Sequence, residues 1–62
     1  MANKPTILIV DDEAANRNAL RAILGDKYEL LEASDGQEAI SLLTTHEKEI
    51  EAIILDLLIL VV

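Results

Sequence analysis

Two groups of acids in this 62-residue chain could do chemistry. Asp11 and Asp12 stand directly after the apolar run Thr6-Ile7-Leu8-Ile9-Val10. Asp56 interrupts a second apolar run, IILDLLILVV, which fills Ile53 to Val62. An acid inside such a run is costly unless it is paired, bound to a cation or at the end of a strand. Carboxylates held close together repel one another, and a divalent cation relieves that repulsion. Mg²⁺ accepts one or two carboxylates, keeps several waters and can also hold phosphate oxygens. An aspartate beside such an ion can attack a phosphoryl donor and become an aspartyl phosphate.

That chemistry requires elements that bring Asp11, Asp12 and Asp56 together. Thr6 to Val10 predicts a first strand, short, β-branched and stopped by acids. Apolar residues at Ala19, Leu20, Ile23 and Leu24 predict a helix from about Ala14 to Leu24, with Gly25 as its C-terminal stop. The run Lys27 to Ala33 partly alternates, which predicts a second, less buried strand at a sheet edge. Ser34-Asp35-Gly36-Gln37 fits a capping box with Ser34 as N-cap. It opens a second helix from Gly36 or Gln37 to Thr45, with Ala39, Leu42 and Leu43 facing inward. A charged connection, His46 to Glu51, leads into a third strand that starts near Ala52. An Ile-, Leu- and Val-rich run of this kind suits a strand buried on both faces of a parallel sheet. Short strands alternating with helices of about ten residues imply right-handed crossovers and an α/β fold. If the third strand lies beside the first, the three carboxylates converge at the carboxyl edge, where open α/β sheets bind ligands.

The bulk composition narrows the options. Twelve acids against five Lys and Arg give a formal net charge of -7, which argues against binding nucleic acid or an anionic membrane through a basic face. There is no Cys, so disulfides are excluded, and Tyr28 is the one aromatic residue, so the core must be aliphatic. No secretory signal is visible, and the C-terminal run is too short and too interrupted for a membrane span. A soluble cytoplasmic protein is expected.

The segments ILIVDDE, ALRAIL, YELLEASDGQEAISLL and IILDL, in that order and spacing, resemble the response-regulator receiver domain of two-component signalling. The resemblance runs from about Pro5 to Leu57. It implies a flavodoxin-like βαβαβ half-domain with parallel strands in the order 2-1-3. It also implies that Asp11 and Asp12 are the metal-binding acid pair, that Asp56 is the phosphoacceptor and third metal ligand, and that Mg²⁺ is the cofactor. A sensor histidine kinase is the implied partner, and the chain itself is not an enzyme. The family's Met-Pro and Gly after the phosphoacceptor are replaced here by Leu57-Leu58-Ile59-Leu60-Val61-Val62. Its fourth-strand Ser or Thr and fifth-strand Lys, which neutralise the phosphoryl group and couple it to a change of shape, have no counterpart. The expectation over 1-62 is thus a truncated receiver with weak or lost switching.

The plainer readings are that Asp11 and Asp12 form a solvated turn, that Ser34 is a cap, and that His46 and Glu47, Glu49 and Glu51 are surface decoration. For the tail, the reading is assembly. Ile53 to Val62, taken as one extended strand, would overhang the first strand and leave an unguarded apolar edge. A homodimer through this segment, with strand three paired antiparallel to its mate, gives a sheet ordered 2-1-3-3′-1′-2′. The alternatives are a phosphoaccepting module active when another chain supplies a missing half, and a fragment without function.

Overall fold

The computed structural model describes residues 4–55 and the backbone of residues 58–61. The first strand, β1, spans Thr6–Val10, and its last four residues are buried. Alternation along it builds two cores, one on each face of the sheet. Ile7 and Ile9 pack with Leu30 and Ile54 and with Leu20 and Leu24 of the first helix, α1, Ala14–Leu24. Leu8 and Val10 pack with Ala33, Ile50 and Ala39, and with Leu42 and Leu43 of the second helix, α2, Gly36–Thr45. The helices therefore cover opposite faces. Leu8 and Ile9 are 0% exposed. Each such side chain contributes roughly 1.5–3 kcal/mol by leaving water.

The second strand, β2, is Glu29–Ala33, and the third, β3, is Ile50–Leu55. Both run parallel to β1, one on each side, so the expected order 2-1-3 is observed. β3 begins two residues earlier than expected, at Ile50. The ladder with β1 then skips Glu51, passing from the Thr6–Ile50 pair to the Ile7–Ala52 pair.

The tail departs from the single extended strand expected of it. The chain reverses after Leu55, and Leu58–Val61 forms β4, antiparallel to β3, with Leu55 opposite Leu58 and Ala52 opposite Val61. The sheet is thus β2-β1-β3-β4, and β3 is interior to it. Pairing within the chain satisfies the backbone groups on the outer edge of β3. Strand three is therefore not available to pair with a second copy.

Two local expectations also shift. The sheet-facing stripe of α1 carries Leu20 and Leu24, whereas Ile23 is 73% exposed and Ala19 is exposed as well. The N-cap of α2 is Asp35, not Ser34: its extended backbone lets its carboxylate accept from the Glu38 N–H at 2.8 Å. The Glu38 carboxylate accepts in turn from the N–H and hydroxyl of Ser34, at 2.7 and 3.0 Å, so Ser34 joins the cap from the position before it rather than as the N-cap. Gly25 does end α1, with an ordinary helical φ of -62°. A side chain is excluded there because a Cβ would lie 2.6 Å from the Arg21 carbonyl oxygen.

Candidate functional site at the carboxyl edge

β1 and β3 end side by side, with Val10 opposite Leu55. Asp11 follows Val10, and its N–H donates to the Ala33 carbonyl at 3.1 Å, one step beyond the β1–β2 ladder. This buries Asp11 to 8% exposure, and it is the buried charged residue among the described residues. All of its polar groups have partners. Oδ1 accepts from the Glu13 N–H at 2.9 Å, Oδ2 from the Asn16 amide at 3.1 Å, and the main-chain carbonyl from Arg17 Nη1 at 2.7 Å. A buried carboxylate is tolerated because it is satisfied in this way.

Asp12 and Glu13 are exposed beside it. One carboxylate oxygen from each of Asp11, Asp12 and Glu13 lies within 4.8 Å of the others. Ligands of an octahedral ion bound at ~2.1 Å lie about 3 Å apart when cis and about 4.2 Å when trans, so these oxygens would have to draw closer to share one Mg²⁺. The donor set is all oxygen, which suits a hard cation. The residues present therefore fit the expected ion. Glu13 also starts α1 as its N-cap, where negative charge is favoured by the helix dipole. The sequence reading named Asp11 and Asp12 for this edge and left Glu13 out, although it directly follows the pair. Asp56, the third expected ligand, lies outside the described residues.

The site is braced from the side by a clamp between α1 and β2. Glu32 accepts from Arg17 Nε at 3.1 Å and from Arg21 Nε at 2.6 Å. The Arg21 hydrogen bond is the main cause that holds the Glu32 carboxyl below its usual range, with further contributions from Arg17, against the opposing effect of burial. Parity makes this clamp possible. Glu32 is two residues from Leu30, on the same face of β2, and that face meets α1.

Below Asp11 a cleft of about 150 Å³ opens between α1 and β3, lined by Ile9, Val10, Asn16, Ala19, Leu20 and Ile54. The lysines are remote from it by topology. Lys4 precedes β1, Lys27 precedes β2 and Lys48 precedes β3, so all three belong to the amino edge. Lys4 donates there to the Gly25 carbonyl at 3.3 Å. No helix among the described residues is long and apolar enough to cross a membrane.

No curated protein and no solved structure matches the chain significantly. The family model of the response regulator receiver domain matches residues 7–60, which is most of the sequence and takes in α1, β2, α2, β3 and all of β1 but Thr6. With a parallel 2-1-3 sheet and an acid cluster at its carboxyl edge, the chain belongs to the response regulator receiver domain family.

Proposed function

We propose that this chain is a signalling module of a two-component phosphorelay that takes a phosphoryl group on Asp56, assembles as a homodimer through the outer edge of β4, Leu58–Val61, and switches weakly. The observation that carries the reading is the register of β1 against β3. Val10 and Leu55 are partners, and each is followed in the chain by an aspartate. Asp11, with Asp12 and Glu13 beside it, would hold the cation. When bound, Mg²⁺ would neutralise charge on the phosphoryl oxygens.

In the step itself an Asp56 carboxylate oxygen forms a bond to phosphorus. The bond between phosphorus and the donor breaks, and the donor leaves with the electron pair. A sensor histidine kinase is the natural donor, in a cytoplasmic setting. The chain is the acceptor and turns nothing over. Weak switching follows from the amino-edge position of Lys4, Lys27 and Lys48, since none of these cations is near enough to pull on a phosphoryl group at the opposite edge.

Assembly is supported by the outer edge of β4. No strand covers it among the described residues, and the sequence Leu58-Ile59-Leu60-Val61 has no charge or proline to guard it. Antiparallel pairing of two such edges gives a closed two-fold sheet ordered 2-1-3-4-4′-3′-1′-2′. The test of the whole reading is intact-mass analysis after incubation with acetyl phosphate and Mg²⁺. The parent should gain one phosphoryl group and Asp56→Asn none. An adduct that persists in Asp56→Asn would overturn the assignment, and so would no adduct on the parent.

A further inference from the structure

We infer that Arg17 is a positioning residue for the acid site, holding the Asp11–Asp12 peptide in the orientation that turns both carboxylates toward one cation. The inference rests on the reading of Asp11, Asp12 and Glu13 as a cation site. The carbonyl that Arg17 grips at 2.7 Å belongs to the peptide joining Asp11 to Asp12. The peptide on the other side of Asp11 is fixed by its N–H bond to Ala33 at 3.1 Å. With both flanking peptides pinned, the backbone of Asp11 has little freedom left, and the direction in which Asp12 departs is set.

Arg17 can do this because it is itself held. Its Nε donates to Glu32 at 3.1 Å while Nη1 reaches the carbonyl, so one planar guanidinium bridges β2 and the acid loop. The side chain is only 19% exposed, against 51% for Arg21, which grips the same carboxylate from the solvent side. A rigid fork with fixed donor directions is suited to this, whereas a lysine offers a single point charge that cannot satisfy both acceptors in the same way. Partners that orient metal ligands in this manner typically change affinity by about 10–100-fold when removed.

The experiment compares Arg17→Ala, Arg17→Lys, Glu32→Gln and Arg21→Ala in the whole chain. Two quantities are read in each: Mn²⁺ affinity by water-proton relaxation, and hydrogen exchange of the Glu13 amide, which donates to Asp11. Arg17→Ala should weaken Mn²⁺ binding about tenfold or more and speed Glu13 exchange relative to core amides, with Arg17→Lys recovering part of both. Glu32→Gln, which loosens Arg17 without removing it, should move both in the same direction by less. It also provides the comparison if Arg17→Ala does not fold. Arg21→Ala should lower stability with less than about a twofold change in affinity. Equal effects of Arg17→Ala and Arg21→Ala, or none from either, would overturn the inference. If the parent takes up no Mn²⁺, the cation reading fails, and the Glu13 exchange alone decides the role of Arg17.

Discussion

Val10 and Leu55 stand opposite each other at the ends of β1 and β3, and an aspartate follows each of them. Parallel strands end at the same edge of a sheet, so Val10 and Leu55, far apart in sequence, are brought side by side by backbone pairing alone. No loop has to fold over to assemble them. The burial of β1 holds this arrangement, because a slip of one residue would turn Ile7 and Ile9 out of the α1 face and Leu8 and Val10 out of the α2 face.

The core of β1 should therefore govern stability. Leu8→Ala should cost about 2–5 kcal/mol, enough to unfold much of so small a domain. Ile23→Ala, at a position 73% exposed, should stay within about 0.5 kcal/mol of the parent. Urea unfolding followed by circular dichroism measures both.

Stability should also depend on pH through Glu32. Its carboxyl is held below the ordinary range by the Arg21 and Arg17 hydrogen bonds. The contribution of a depressed acid is complete above its unfolded pKa, about 4.3, and is lost as pH falls through the lower folded value. Glu32→Gln should cost roughly 0.2–1 kcal/mol at neutral pH, the range of solvent-facing ion pairs. The difference from the parent should shrink at pH values below about 4 and in high salt. Thermal melts across pH, parent against variant, read this directly.

Assembly should be sensitive to the backbone of β4. Successive residues of a strand send their N–H groups to opposite edges, so Ile59→Pro and Leu60→Pro remove one donor facing β3 and one facing outward. One variant should lose structure, and the other should remain folded and run as a monomer in sedimentation. A monomeric parent, or a dimer that survives both substitutions, would contradict pairing through this edge.

The sequence was informative where local pattern and topology agree. The bounds of α1 came from a 3.6-residue period ended by Gly25, the α/β class followed from alternating strands and helices, and the order 2-1-3 came from the receiver resemblance. The reversal after Leu55 was not visible, because the ten apolar residues from Ile53 to Val62 carry neither glycine nor proline to mark it. What decides it is the free edge of β3, which needs a partner strand and finds one nearby in the same chain. The place of Asp11 and Asp12 at the end of β1 was legible, because a β-branched run stopped by acids marks a strand end. The clamp of Glu32 by Arg17 and Arg21 was not, since it joins residues 15 and 11 apart through packing that no local pattern encodes.

A Mg²⁺ titration followed residue by residue by NMR tests the carboxyl-edge site most directly. The amides of Asp11, Asp12, Glu13 and Leu55 should shift together and saturate, and Asp12→Ala should weaken the response. The amino edge provides the internal control, because Glu29, Glu49 and Glu51 line a hollow of about 390 Å³ there with Lys4 and Thr6. Signals from those three acids should stay still. Shifts spread evenly over both acidic edges, or confined to Glu29, Glu49 and Glu51, would contradict the account.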